Sequence, residues 1–418
     1  MDGDFGEIHT LGIRCSIEPV DLPQWPLMNV PLDSYAIEDT TRILTPALLV
    51  YPDLVDANIL TTLRILGNDA SRWRPHIKTA KLGAVLRKLI DHGVTRFKAS
   101  TTLEVLSACE AGATDVLLAF PVAGANARRI IEIASRFTAV RLSVLVETAA
   151  QASFWSQTNV DCFIDINPGM NRTGIAENRV AEIEQIARQA GDRFRGLHYY
   201  DGHMSAYPLR ERERPAHQGY DRLMKVVDAL ESSGLKIGEV ITSGTPAFPF
   251  ALTYHGFKGR SFHHSISPGT VVFNDFTSLA QLPREYGYAP AVLVLSTIVS
   301  EPAPHVVTCD AGHKSVSADA GVPTCVVVGH PDWTPSKPSE EHLPIEVGHH
   351  VASLLGSQLY LLPRHVCPTV NNFDHALFIK KGRVIAVEEV TARGHETQLV
   401  MEKPAGVPQQ PSDVLTVL

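Results

Sequence analysis

Short apolar runs alternate with stretches of helical spacing over the first two thirds of the chain. TPALLVYP (45–52) is a β-rich run, and DLVDANILTTLRIL after it has helical spacing and begins with an aspartate, a common helix cap. Eight further short apolar runs follow, most of them separated by a helix-period stretch. These predicted strands are RPHIK (74–78), TRFKAS (95–100), DVLLAFPV (115–122), RLSVLVE (141–147), DCFIDINP (161–168), GLHYYDGH (196–203), EVITSG (239–244) and FHHSISPGT (262–270).

Eight such units in about 200 residues predict an α/β fold of the (β/α)8, TIM-like barrel class. TPALLVYP is one strand too many for this barrel, and we expect it to belong to the other domain. A doubly wound open sheet is the alternative for the same alternation.

From about residue 286 the apolar runs are β-rich and are divided by Gly, Pro and Asp turns without helical intervals. This texture predicts a separate β-rich domain. The prolines of the first 40 residues predict an irregular arm that packs on the surface or on a partner subunit. The polar segment KPAGVPQQPSD near the end is expected to lie over the surface or to be poorly ordered. The predicted divisions are an arm (1–40), a barrel (41–285) and a β-rich domain (286–418).

Composition and charge narrow the class of function. The 418 residues include 37 Lys and Arg against 45 Asp and Glu, and 44% are hydrophobic, as in an ordinary globular protein. The net charge of −8 argues against nucleic-acid binding, and we find no signal peptide and no long apolar span. The six cysteines form no CxxC pair, which suits a reducing compartment. We expect a cytoplasmic protein with a small-molecule partner and neither a nucleic-acid nor a membrane partner.

Lys78 is the first candidate for chemistry. It ends the RPHIK run, and the catalytic groups of barrels converge where strands end. Low-dielectric walls and a neighbouring cation such as Arg74 would favour the neutral amine, the form that attacks an aldehyde. Taken alone, the position is more typical of a surface lysine, and only its context reverses that preference.

Two Gly/Thr turns supply the context. ITSGTP (241–246) and SPGT (267–270) follow the seventh and eighth predicted strands, whose loops commonly bind phosphate in barrels. Glycine lets the backbone approach phosphate oxygens, and hydroxyls add hydrogen bonds. The phosphate ligands predicted in this way are Ser243, Gly244, Thr245, Gly269 and Thr270. In NPGMNRTG (167–174), Arg172 could bind an anionic oxygen of a cofactor ring or be an ordinary solvated arginine.

PRHVCPTVN (363–371) contains a His-x-Cys pair. In an extended segment alternate side chains face the same side, so His365 and Cys367 could hold one soft or borderline divalent ion. Such a pair by itself is more often not a metal site. SEEHLP (339–344) and GHH (348–350) form a second acidic and His-rich patch, which is better explained as a solvated loop.

Together these motifs resemble a known family. RPHIKTAK, TTLEVLSACEAGATDVLLAFPV, DINPGMNRTG, GLHYYDGH, SGTP and SPGT are similar to the alanine-racemase-type barrel of fold type III pyridoxal-phosphate (PLP) enzymes. With PRHVCPTVN, the chain resembles more narrowly the D-serine dehydratase and D-threonine aldolase family, over roughly residues 40–390. The resemblance implies that Lys78 binds PLP covalently, that the Gly/Thr turns hold its phosphate, and that Arg172 and Tyr200 lie beside its ring.

The resemblance also implies that His365 and Cys367 bind Zn2+, or another divalent metal such as Mn2+, next to the PLP. Enzymes of this kind resemble head-to-tail homodimers in which the β domain of one chain closes the barrel of the other. One departure concerns RPHIKTAK, where many relatives have a second histidine and this chain has Ala80. A role of that imidazole would be missing or taken by another residue such as His203.

We expect a lyase acting on D-serine or a related β-hydroxy-D-amino acid. In the preferred hypothesis, a dehydratase, Lys78 removes the α-proton, the metal assists loss of the β-hydroxyl, and a 2-keto acid and ammonia result. In the alternative, an aldolase, a base such as His203 takes the hydroxyl proton of D-threonine or 3-hydroxy-D-aspartate, giving glycine and an aldehyde. The preference rests on Cys367, because family aldolases more often have an acidic residue there. Weaker rivals are a racemase, with Tyr360 as its second base, and a non-catalytic PLP carrier.

Overall fold

The computed structural model describes residues 32–348 and 352–397. The predictions for most of the arm, for the C-terminal tail and for the last two residues of GHH lie outside the described residues. The strands are β1 (Ala47–Val50), β2 (Arg96–Ala99), β3 (Asp115–Leu118), β4 (Arg141–Val146), β5 (Asp161–Asn167), β6 (Ile175–Ala176), β7 (Phe194–Tyr199), β8 (Glu239–Thr242), β9 (His263–Ile266), β10 (Val292–Ala303), β11 (Val306–Cys309), β12 (Cys325–Val327), β13 (Thr334–Pro335), β14 (Leu343–Glu346), β15 (Gln358–Pro363), β16 (His375–Lys380) and β17 (Arg383–Glu389). The α-helices are α1 (Pro52–Ile65), α2 (Gly83–Asp91), α3 (Thr102–Ala111), α4 (Gly124–Arg136), α5 (Ala149–Ser156), α6 (Val180–Ala190), α7 (Glu213–Ser232), α8 (Phe248–Thr253), α9 (Phe276–Gln281) and α10 (Val366–Asn371).

Seven parallel strands form the barrel in the order β2-β3-β4-β5-β7-β8-β9. The segment before Lys78 takes the eighth place without becoming a regular strand, since Trp73 bridges to Ile266 of β9 and His76 bridges to Lys98 of β2. The predicted (β/α)8 fold is therefore confirmed. The open doubly wound sheet is not, because the chain closes between β9 and β2.

Side-chain alternation divides the barrel into two layers. Leu117, Leu145, Phe163 and Ile241 form a small apolar cluster of their own, whereas their strand neighbours, such as Val116 and Ile164, belong to the main core. Successive residues of a strand face opposite sides, so the small cluster fills the inside of the barrel and the main core lies between strands and helices. Side-chain caps define the starts of some barrel helices. At the start of α3 the Thr101 hydroxyl accepts a hydrogen bond from the backbone N–H of Glu104.

The second sheet has the order β13-β14-β11-β10-β1-β16-β17, and β15 pairs with β10 and β12. Its strand β1 comes from TPALLVYP, pairs antiparallel with β10 and parallel with β16, and so belongs to this sheet as expected. One local prediction is wrong: the segment with the His-x-Cys pair is not extended throughout, because β15 ends at Pro363 and helix α10 begins at Val366. In the described part of the chain no helix is long and apolar enough to cross a bilayer.

Candidate active site

Lys78 lies in a tight turn that follows the bridging segment. Its backbone N–H donates to Nδ1 of His76 at 3.3 Å, and the N–H of Lys81 donates to the Ile77 carbonyl at 2.9 Å. Lys81 has a positive φ of 53°, and its amine is held by Glu104 at 2.8 Å. The turn therefore presents the half-buried Lys78 side chain at the C-terminal end of the barrel strands.

The expectation that Arg74 assists Lys78 is wrong. The Arg74 guanidinium is fully buried and donates to Asp115 at 2.7 Å and to Glu239 at 3.1 Å. Both carboxylates are on the first residues of their strands, which is the opposite end of a parallel barrel from Lys78. Arg74 thus lies at the start of the bridging segment and Lys78 at its end, so the charge of Arg74 is held at the far end of the barrel from the lysine.

The two Gly/Thr turns form a cradle beside Lys78. The N–H of Ser267 donates to the Ser243 carbonyl at 2.9 Å, which ties one turn to the other. A Cβ on Gly269 would lie 2.2 Å from the His76 carbonyl oxygen, and one on Gly244 would lie 2.8 Å from the Tyr200 ring, so both positions require glycine. The buried Ser267 hydroxyl has no hydrogen-bond partner among the described residues. A narrow backbone cradle with an unsatisfied hydroxyl fits the phosphate of PLP.

Tyr200 lies between this cradle and two cations. The Arg172 guanidinium is 4.7 Å from the centre of the Tyr200 ring, and the Lys98 amine is 5.6 Å from it. A phenol ring flanked by cations and by Gly244 offers a flat surface for a cofactor ring. The structure therefore places the predicted residues Arg172, Tyr200 and Gly244 together.

Sequence reasoning missed a buried polar chain that begins at Lys98. The Lys98 amine lies 2.8 Å from Nε2 of His198, whose Nδ1 lies 2.7 Å from Asp165. Burial lowers the pKa of Lys98 to about 7, with further lowering by the charge of Lys78 and against the influence of Asp165. Burial and Lys98 lower the pKa of His198 to about 4. His198 is thus neutral near pH 7, donating through Nδ1 to Asp165 and accepting from Lys98.

The His-x-Cys pair lies at the start of α10. His365 is the N-cap residue, and Cys367 is in the first turn. Burial opposes the charged imidazolium, but hydrogen bonds with Cys367 and Asp319 raise the pKa of His365 to about 9. Burial raises the pKa of the Cys367 thiol, but the His365 hydrogen bond outweighs it and lowers that pKa below its ordinary value. Imidazole nitrogen and thiolate sulfur are a donor set that zinc takes.

Asp319 orients the imidazole of His365 through a hydrogen bond. Its carboxylate accepts from Nδ1 of His365 at 2.6 Å, which leaves Nε2 as the nitrogen for a metal. The described residues contain no group of three or more His, Cys, Asp or Glu side chains that could hold a metal. Two protein ligands would leave positions for water or substrate, as a catalytic metal site requires.

The metal pair and the lysine turn meet at one mouth. The Thr79 hydroxyl, next to Lys78 in the chain, is 3.0 Å from the Cys367 sulfur, and the Thr270 hydroxyl is 3.8 Å from the same atom. Lys78 also acts electrostatically on the Cys367 thiol. The C-terminal sheet therefore brings its thiol to the barrel segment that carries both the lysine and the phosphate cradle.

Three other sequence candidates lie elsewhere. His203 lines a cavity of about 160 Å³ with Asp201, and within the described ranges no hydrogen bond or ion pair joins it to Lys78 or Cys367. Its Nδ1 is buried and has no hydrogen-bond partner in the part of the chain that the structure describes. The Tyr360 hydroxyl accepts the N–H of Ile37 at 2.9 Å, in an apolar cluster of the second sheet. In SEEHLP, the two glutamates pair with Lys314 at the surface.

Comparison with known proteins identifies the family of the chain. Residues 51–275 match the family model for the alanine racemase N-terminal domain, and residues 291–379 match that for a putative serine dehydratase domain. The first match covers more than half of the chain, so the chain belongs to the alanine racemase N-terminal domain family. Within the fold type III PLP enzymes, it belongs to the D-serine dehydratase and D-threonine aldolase branch.

Characterised relatives span nearly the whole chain. D-threonine aldolase from an Arthrobacter species is 26% identical over 367 residues, covering 84% of this chain and 93% of the relative. 3-hydroxy-D-aspartate aldolase from Paracoccus denitrificans is 28% identical over 382 residues, covering 85% and 94%. D-threo-3-hydroxyaspartate dehydratase from a Delftia species is 26% identical over 378 residues, covering 81% and 94%. The crystal structure of D-threonine aldolase from Filomicrobium marinum has a TM-score of 0.77, 27% identity, and coverage of 85% and 96%.

Proposed function

We propose that the chain is a PLP- and divalent-metal-dependent lyase that acts on β-hydroxy-D-amino acids. The observation that supports it most is the 3.0 Å contact between Thr79 and Cys367, because it brings the lysine turn and the thiol of the metal pair to one barrel mouth. A β-hydroxy-amino acid has two groups to be handled there, the amine at Cα and the hydroxyl at Cβ. The site has one set of residues for each.

When bound, PLP would supply an electron sink at Cα, and a divalent ion would supply a Lewis acid for the hydroxyl. Lys78 would bind the cofactor, and the turns at Ser243 and Gly269 would hold its phosphate. His365 and Cys367 would hold Zn2+ or Mn2+, with Asp319 fixing the imidazole tautomer. The half-buried Lys78 amine would exchange a proton with the α-carbon of the substrate.

Within this class we propose the aldolase reaction, in which the Cα–Cβ bond breaks and glycine and an aldehyde form. Support comes from the relatives, since three of the four curated relatives are aldolases, one for D-threonine and two for 3-hydroxy-D-aspartate. This reverses the preference of the sequence analysis, which rested on Cys367 alone. The base for the hydroxyl proton predicted from the sequence is His203, but its place in the cavity with Asp201 does not support that role, and the variant below tests it.

Dehydration is the second candidate, and one observation favours it. Solved structures of D-threo-3-hydroxyaspartate dehydratase include a histidine-to-alanine variant and a cysteine-to-alanine variant two positions further on, the latter in a metal-free form. His365 and Cys367 have the same order and spacing. A His-x-Cys pair of this spacing therefore occurs in at least one dehydratase of which a metal-free form is described.

Product analysis separates the two reactions. The metal-loaded holoenzyme is incubated with D-threonine, and glycine with acetaldehyde is measured beside 2-oxobutyrate with ammonia. We expect glycine and acetaldehyde in equal amounts and none from L-threonine. Formation of 2-oxobutyrate would transfer the assignment to the dehydratase, and His203→Ala with unchanged glycine release would remove His203 as the base. Absence of any product from D-threonine, D-serine and 3-hydroxy-D-aspartate would reject the whole class.

We also propose a homodimer, as the family resemblance implies. Sedimentation of the holoenzyme should give twice the chain mass of 45.6 kDa. A single species at the mass of one chain would contradict it.

A further inference from the structure

The N-terminal end of the barrel, opposite Lys78, carries a second ring of charged side chains. The register places Arg96 beside Asp115 and Asp115 beside Arg141. Because the strands are parallel, residues that begin them share one face of the barrel. First residues of their strands are Arg96, Asp115, Arg141, Glu239 and His263, and Arg195 is the second residue of β7.

The buried part of this ring has more positive than negative charge. Asp115 accepts from Arg74 and Arg195, and Glu239 accepts from Arg74, Arg195 and Arg96. Three guanidinium groups therefore share two carboxylates. Burial, followed by the charge of Arg74, lowers the pKa of Arg96 against the opposing influence of Glu239. The available carboxylates thus compensate Arg96 incompletely.

A cavity of about 450 Å³ opens on this ring. Four of the side chains that line it are cationic and two are carboxylates, namely Arg96, Arg141, Arg195 and Lys236 against Asp192 and Glu239. One of these carboxylates, Glu239, is already shared among the buried arginines. Lys236 is exposed and has no ion pair within the described ranges. Arg141 is paired with Asp161 at 2.6 Å. The positive charge that the acids leave uncompensated is therefore that of Lys236 and of Arg96, which shares Glu239 with two other guanidinium groups.

We propose that this cavity binds a small doubly charged oxyanion, such as inorganic phosphate or a short dicarboxylate. The planar guanidinium forks of Arg96 and Arg195 suit paired oxygens of either ligand, and Lys236 adds a point charge at the rim. The site is separate from the PLP phosphate cradle, because the two lie at opposite ends of the same strands. It does not depend on the proposed lyase activity.

The test is a calorimetric titration of the PLP-loaded holoenzyme with phosphate and with malonate, at constant ionic strength set by chloride. The double variant Arg141→Gln/Lys236→Gln removes two cations that line the cavity. Arg136→Gln/Lys258→Gln is the matched control, since it removes the same charge from exposed residues that do not line it. We expect binding to weaken at least about tenfold in the first variant and to be unchanged in the control.

Binding of phosphate alone would assign a tetrahedral oxyanion, and binding of malonate as well would assign dianions in general. The proposal is overturned if neither ligand binds above chloride, or if both double variants lose binding equally. It is also overturned if phosphate removes the visible absorption of the bound PLP, because the anion would then be in the cofactor cradle.

Discussion

Two lysines at the inside of the barrel differ in their surroundings. Lys78 is half-buried at the mouth, whereas Lys98 is fully buried and lies 2.8 Å from His198. The sequence could predict Lys78 because it ends an apolar run near recognisable turns. Lys98 stands in the middle of TRFKAS, and only the closed barrel shows that its side chain points inward onto His198 and Tyr200.

Lys98 should make stability depend on pH. Its pKa in the folded chain is about 7, far below the value of an unfolded lysine, so between about pH 7 and 10 the unfolded chain binds the extra proton and folding becomes more favourable as pH rises. Lys98→Met should remove up to about 1.4 kcal/mol per pH unit of that rise in the free energy of unfolding. Urea denaturation at several pH values measures it. Lys236→Met, an exposed lysine, is the control, and parallel profiles of Lys98→Met and wild type would contradict the burial of this charge.

Asp319 should control metal affinity without touching the cofactor. It accepts from His365 Nδ1 at 2.6 Å, and loss of such a partner typically weakens metal binding by about 10- to 100-fold. Asp319→Asn should therefore need correspondingly more Zn2+ in a titration of the metal-free holoenzyme, while its PLP absorbance stays unchanged. Asp332→Asn, another exposed aspartate, should bind metal as wild type does. Equal affinities for the two variants would show that Asp319 does not orient a ligand.

At the scale of elements, helix α10 is what local patterns could not predict. PRHVCPTVN has two prolines and β-branched residues, which favour an extended segment. Its first turn is stabilised instead by Asp275, whose carboxylate accepts the N–H of Val366 at 2.9 Å and also caps α9 through Ser278. This contact spans 91 residues of chain, so no window around Cys367 contains it. The barrel strands are predictable because their signal is local.

Asp275→Ala should destabilise the fold and disturb the metal pair together. One buried carboxylate caps both α9 and α10, and each lost cap costs about 1 kcal/mol. We therefore expect the free energy of unfolding, measured by chemical denaturation, to fall by about 2 kcal/mol. Zinc binding should weaken as well. Thr148→Ala removes the cap of α5, whose hydroxyl accepts from Gln151 rather than from a residue of the metal pair. That control should lose about 1 kcal/mol and keep wild-type zinc affinity. Normal zinc binding in Asp275→Ala would show that the cap does not place Cys367.

At the scale of the whole molecule, the barrel has different tasks at its two ends. The C-terminal end collects Lys78, the phosphate cradle and the metal pair, and the N-terminal end holds the arginine network of Arg74. The sequence could bring Lys78 and the Gly/Thr turns to the first end, since these turns carry recognisable motifs, whereas it missed Lys98 and took the His-x-Cys segment as extended. It misplaced Arg74 because ion pairs with Asp115 and Glu239 join strands that are distant in the chain.

The arginine network should be sensitive to loss of a carboxylate. Asp115→Asn leaves the buried guanidinium groups of Arg74 and Arg195 and the partly buried one of Arg96 with Glu239 as their shared carboxylate, and breaking a buried ion pair typically costs about 3–5 kcal/mol. We expect a loss of this size in the free energy of unfolding. Asp192→Asn, exposed at the same end of the barrel, should change it by less than about 0.5 kcal/mol. A similar small effect in both variants would contradict the network.

The central claim is that the PLP lysine and the metal pair act on one substrate at one mouth. Glycine release from D-threonine by wild type, Lys78→Ala and Cys367→Ala, each with and without a chelator, tests it most directly. The account predicts chelator-sensitive release by wild type and loss of release in both variants, with Cys367→Ala keeping its PLP absorbance. Release that resists the chelator and survives in Cys367→Ala would contradict it.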